Sequence, residues 1–128
     1  MYLFGAEIPF ASVCGIEPVE AAHGRTKLRV QVRPERANNL GIAHGGLLCT
    51  MLDIAMGSAA RVTTGCAAVM TLNMHSSFLA PGRGELTAEG TVRHAGGSII
   101  FCEAEIRSED GTLVATASGV FKPVRTRD

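Results

Sequence analysis

The sequence predicts one α+β domain over residues 1–128, with an antiparallel, curved sheet wrapped around one long buried helix. Three observations lead there. Residues 44–61 are long enough for a helix, rich in Leu, Met and Ala, and apolar nearly all round, so that helix needs cover on most sides. Residues 25–33 alternate cleanly, with Leu28, Val30 and Val32 on one face and Lys27, Arg29, Gln31 and Arg33 on the other, as a strand with one buried face does. After Gly65 the apolar period becomes two and stays so to the end of the chain. Wrapping one curved sheet around the helix buries both elements at once.

Taken in order, residues 13–22 read as a strand paired with 25–33 across a His23-Gly24 turn. Residues 34–43, with Pro34, Asn38-Asn39 and Gly41, form a loop leading into the helix. Four strands follow at about 67–79, 84–94, 98–108 and 112–122. Their separators are Ala80-Pro81-Gly82-Arg83-Gly84, Ala95-Gly96-Gly97 and Glu109-Asp110-Gly111, the last carrying the strong Asp-Gly hairpin signal. Separators this short predict that consecutive strands are antiparallel neighbours.

Composition removes several function classes. Twelve Lys+Arg balance twelve Asp+Glu, so the basic surplus of a nucleic-acid binder or polybasic membrane-surface protein is missing. Charged residues make up 19% and apolar residues 46%, against a disordered chain and in favour of surface hidden in an oligomer. Cys14, Cys49, Cys66 and Cys102 form no CxxC pair and no cluster with histidine, so no metal site and no cofactor is expected. Widely spaced cysteines among apolar neighbours read as reduced thiols of a cytoplasmic protein. The N-terminus has no basic residue before Arg25, and the apolar stretch 45–60 contains Asp53 and is too short to span a bilayer.

The chemistry concentrates in Asn38-Asn39-Leu40-Gly41-Ile42-Ala43-His44-Gly45-Gly46 and in Asp53. The positions three and four residues from Asp53 hold Gly46, Cys49, Thr50, Met56, Gly57 and Ala60, none of them basic, so no local helix ion pair is available. Asp53 is therefore either a solvent-facing residue on the helix edge or a cleft carboxylate ready for base or nucleophile work. His44-Gly45-Gly46 stands at the helix start, where unpaired N–H groups and the positive dipole end can polarise a carbonyl. Gly45 and Asp53 lie eight residues apart, about 12 Å along a helix. One helix cannot bring both to one carbonyl, whereas two antiparallel copies can.

The pattern Asn38-x-x-Gly41-x-x-His44-Gly45-Gly46 with Asp53 nine positions after the histidine resembles the hotdog-fold acyl-CoA thioesterases of the phenylacetate-pathway (PaaI-like) group. The likeness runs from about Pro9 to Phe121 and includes Ser77-Phe78-Leu79-Ala80-Pro81-Gly82 and the hairpin Arg93-His94-Ala95-Gly96-Gly97-Ser98. It implies a hotdog fold, an acyl-CoA substrate, and a homodimer with interfacial sites, often a dimer of dimers. It further implies Asp53 as the acid that activates water or attacks the thioester, Gly45 as the N–H donor to the carbonyl, Asn38 placing water or substrate, and His44 bracing the loop. Thr71 falls where related enzymes carry a hydroxyl that assists the acid, and simple strand alternation puts it on one face with Asn73 and His75. Gly46, Arg93 and Ser98 are the implied substrate contacts. Gly97 stands where the family frequently has Arg or Lys against the coenzyme A nucleotide, leaving Arg93 or another arginine to replace it. The readings that compete with an acyl-CoA thioesterase are a noncatalytic acyl-CoA-binding module, a hotdog hydratase or dehydratase, and a structural protein.

Overall fold

A computed structural model of the chain describes residues 2–124. The long helix α2 (Gly45–Thr64) is cradled by a six-stranded sheet in which every neighbouring pair is antiparallel. The sheet comprises β3 (Glu17–Ala22), β4 (Arg25–Gln31), β5 (Ala68–Phe78), β6 (Glu85–Ala95), β7 (Ile100–Ser108) and β8 (Leu113–Val124). Its spatial order is β3-β4-β6-β7-β8-β5. Before it come a small hairpin, β1 (Tyr2–Leu3) with β2 (Ala6–Glu7), and a short helix α1 (Pro9–Cys14).

The alternation in β4 has its expected consequence: Thr26, Leu28 and Val30 are fully buried. Helix α2 buries twelve of its twenty residues and ends where Gly65 enters the left-handed region at φ 74°. Sheet and helix meet closely at Gly90 of β6, where a Cβ would collide with the backbone of Ala55 and Met56, and Thr26 Oγ1 donates to Ala55 O at 2.8 Å. Glycine at 90 is therefore a packing requirement.

Two expectations are corrected. Residues 13 and 14 belong to α1 rather than to a strand. Pro9 presets the first turn, Gly15 at φ 69° terminates it, and the paired strand starts only at Glu17. The other concerns order: β5 does not neighbour β6 but runs along β8 at the sheet edge. The segment between them is a crossover, not a tight turn. Leu79 and Ala80 N–H donate to Val114 O, Ala43 N–H donates to Gly82 O, and Val32 N–H donates to Gly84 O. Three strand spacings of about 4.8 Å are within reach of an extended run of this length. Pro81 cannot donate to a ladder, so the segment takes its partners from loops on the way. No helix of the described residues is long and apolar enough to cross a membrane.

Candidate active site

The loop before α2 is held by Asn38. Its Oδ1 accepts from Leu40 N–H at 2.9 Å and Ile42 N–H at 3.3 Å, while its own N–H donates to Ile42 O at 2.8 Å. Asn38 also lines a cavity of about 350 Å³ together with Gly45, Phe78 and Leu79. His44 is the N-cap, and its Nδ1 accepts from Gly46 N–H at 2.8 Å. The histidine thus caps the first turn. Gly46 N–H is spent on that cap, whereas Gly45 N–H meets no acceptor among the described residues. Of the two glycines, the geometry leaves Gly45 as the donor open to a substrate.

Two turns further along α2 stands Asp53, half-buried. Thr71 Oγ1 donates to its Oδ1 at 2.6 Å, a hydrogen bond between β5 and the helix. No cation pairs with the carboxylate among the described residues. Charge-assisted O–H···O⁻ bonds of this length are the strong kind. The face expected for Thr71 needs correction. A bulge between Thr71 and Asn73, opposite Phe121 and Val120 of β8, inserts Leu72 and reverses the alternation beyond it. Val69 and Thr71 therefore face α2 together with Met74, Ser76 and Phe78, while His75 and Ser77 join Glu89, Glu103 and Glu105 on the outer face.

The Asp53–Thr71 pair sits where two cavities meet. A cleft of about 430 Å³ is walled by Phe10, Cys49, Thr50 and Met74. A slot of about 270 Å³ continues past Gly57 and Ser58 to Arg61. Neither contains Asn38 or Gly45. Within one chain, then, the candidate residues fall into two groups: Asn38, His44 and Gly45 at the helix start, and Asp53 with Thr71 near its middle. Arg93 and Ser98 join neither. Arg93 Nε pairs with Glu103 at 3.7 Å on exposed sheet surface, and Ser98 lies exposed in the β6–β7 turn with Gly97.

Several residues at these cavities are not marked by the sequence motif. Phe78 lays its ring edge 3.4 Å from where a Gly45 Cβ would stand, and Phe10 reaches the cleft from α1. Gly57 and Arg61 line the slot. Phe78 becomes visible as an inward residue only once the bulge at Leu72 is known. Gly57 and Arg61 carry an i, i+4, i+8 signal from Asp53 along one helix face.

A buried helix wrapped by an antiparallel sheet, with an unpaired N–H at its first turn and a carboxylate two turns on, is the arrangement expected of a hotdog-fold thioester hydrolase. The comparisons with known proteins agree. The thioesterase superfamily model matches residues 40–115, and the chain belongs to that superfamily. It resembles the conserved protein PA5202 of Pseudomonas aeruginosa, with TM-score 0.87 and 27% identity over 92% of this chain and 95% of that one. It also resembles the E. coli PaaI protein from the phenylacetic acid degradation operon, with TM-score 0.84 and 26% identity over 90% and 83% of the two chains. Among curated relatives, the medium/long-chain acyl-CoA thioesterase YigI of Escherichia coli K12 is 24% identical over 93% of this chain and 88% of its own.

Proposed function

We propose that the protein hydrolyses aryl- or medium-chain acyl-CoA to the free acid and coenzyme A, in sites shared between two antiparallel protomers. The observation that carries this reading is the Thr71–Asp53 hydrogen bond at the junction of two cavities. It engages Oδ1 and leaves Oδ2 to take a proton from water. That water oxygen attacks the thioester carbon, and the developing oxyanion is received by Gly45 N–H of the other protomer. Collapse of the tetrahedral intermediate expels the coenzyme thiolate. A thiol with a pKa of about 8.5 leaves without a strong general acid, so one carboxylate suffices.

The sharing of sites is supported by the unequal edges of the sheet. The β3 edge is short, bulged, interrupted by Pro18 and charged by Glu17 and Glu20, the usual protection against pairing. The β5 edge is eleven residues long and exposes Met70, Leu72 and Phe78. Such an edge favours pairing with a second copy, and a two-fold axis there sets the helices antiparallel, as the distance from Gly45 to Asp53 requires.

The test is release of free thiol from a panel of aryl and aliphatic acyl-CoA esters. Wild-type protein is expected to turn over part of the panel, and Asp53→Ala to lose activity by about 10²–10⁴-fold. No thiol release from any ester would sink the reading.

A further inference from the structure

We infer that Arg61 is a positioning residue for the Asp53 site: it clamps the β1–β2 hairpin to the far end of α2, and the hairpin in turn sets where Ile8 and Phe10 stand around the carboxylate. The inference rests on the acyl-CoA reading of that site and adds to it a side chain that acts through its neighbours.

Arg61 is an unusual group to bury. It is 9% exposed, and burial pushes its pKa below the ordinary value. A buried guanidinium is tolerated only where its donors find acceptors. Here they go to the N-terminal hairpin. Nη1 donates to Phe4 O at 3.2 Å, and Nη2 donates to Leu3 O at 3.1 Å and to Ser58 Oγ at 3.2 Å. Ser58 lies one turn back on the same helix and is buried, so the guanidinium is oriented from its own side before it reaches across.

The hairpin needs such a clamp. Its strands, Tyr2–Leu3 and Ala6–Glu7, have two residues each and are too short to hold together without outside contacts. Its turn is strained as well. Phe4 at φ 51° and Gly5 at φ 87° adopt the successive left-handed conformations of a tight hairpin turn. Phe4 is the one non-glycine residue with positive φ among the described residues. Two features offset that strain: Leu3 is wholly buried, and the carbonyls of Leu3 and Phe4 both accept from Arg61.

From this clamp the chain runs directly to the site. Ala6, Glu7 and Ile8 line the slot that opens at Asp53, and Ile8 also walls the neighbouring cleft with Phe10. Ile8 is the N-cap of α1, so a shift of Ile8 carries Phe10 with it. Asp53 and Arg61 share one helix, eight residues or about 12 Å apart. The helix serves as a ruler: one position carries the carboxylate, and the other fixes the segment that faces it.

The test compares wild type with Arg61→Met, which keeps the apolar stem and removes the donors, and with Gly5→Val, which strains the turn from its other side. A Cβ at position 5 meets nothing within 4 Å, so that substitution acts through φ alone. Hydrogen exchange reads the hairpin, and sedimentation reads the oligomer. Calorimetry gives the affinity for S-octyl-CoA, a thioether that cannot be hydrolysed, and thiol release from octanoyl-CoA gives kcat and KM. Both variants should keep the oligomeric state and exchange faster over residues 2–8. They should weaken thioether binding about tenfold and raise KM by a similar factor, with kcat changed less. The double variant should be no worse than the worse single one, because both act through one hairpin. Arg61→Lys, which keeps the charge without the planar fork, should recover part of the affinity and decides the matter if Arg61→Met does not fold. A merely structural Arg61 would lower kcat through loss of active protein and leave KM and thioether affinity unchanged. That result, additive effects of the two variants, or a wild type that does not bind the thioether would overturn the inference. Because the thioether only binds, a wild type that binds it yet releases no thiol defeats the hydrolysis reading alone. Wild-type affinity in a variant with a loosened hairpin defeats the positioning role alone.

Discussion

The first turn of α2 and the turn around Asp53 belong to one helix and offer opposite chemistry. At the start the available group is backbone: Gly45 N–H is unpaired among the described residues, and His44 and Asn38 hold the loop that carries it. Near the middle every backbone group is used by the helix, and the available group is a side chain, Asp53, which accepts a hydrogen bond from Thr71. A helix supplies free donors only in its first turn, so donor and base cannot be neighbours on it. The separation is what motivates the proposal of a site completed by a second copy of the same helix.

The sharpest way to break that comparison is to disable each half in a different chain. Gly45→Pro should lower activity by about 10²–10³-fold by deleting the N–H. Position 45 is the first helical residue, where proline is tolerated, and His44 at φ −62° and ψ 140° already has the conformation a following proline demands. Subunit exchange between Gly45→Pro and Asp53→Ala proteins should restore about a quarter of wild-type activity, because half the dimers are mixed and each holds one intact site. Exchanged mixtures as inactive as their parents would place both halves within one chain.

A nearly equal effect is expected from the sheet edges. Met70→Glu on β5 should yield monomers with at least tenfold less activity, whereas Val19→Glu on the protected β3 edge should change neither sedimentation nor turnover. Thr71→Val tests the mid-helix half more gently. Loss of a hydrogen bond to a charged group, about 1.5–3 kcal/mol, should reduce kcat by about tenfold or somewhat more, with Thr71→Ser restoring most of it. If Val and Ser behave alike, the hydroxyl does not orient the carboxylate.

The smallest expected effect separates surface from interior. Burial pushes the Cys102 thiol up to about 12, and burial also raises Cys14, opposed in part by the Arg36 charge. Both stay protonated at pH 8, so iodoacetamide followed by mass mapping should label Cys49 and Cys66 first. Early labelling of Cys102 would contradict its burial between β7 and α2.

Much of this was legible in the chain itself. The apolar run 44–61 announced a buried helix, and Asp53 stood out inside it because a lone carboxylate there needs a partner, which proves to be the Thr71 hydroxyl. The four strands after Gly65 were legible from period and turn residues, to within two or three residues at their ends. Thr71 was legible only through a resemblance; alternation alone would have grouped it with His75, which lies on the opposite face. The N-terminal hairpin escaped notice because its strands have two residues each, too few to show a period.

The sequence by itself determined the long buried helix and where it begins, the strand β4 and the four strands after Gly65, and which residue types stand at the two candidate positions on α2. These are local properties, set by periodicity, caps and turn residues within a few positions. Only the tertiary structure decided that β5 lies against β8, that Leu72 bulges and turns Thr71 toward Asp53, and that the space beside Gly57 stays open. Each of these depends on partners that are distant in the chain, as Thr71 and Phe121 are, and no local pattern encodes which distant backbone will supply the pairing.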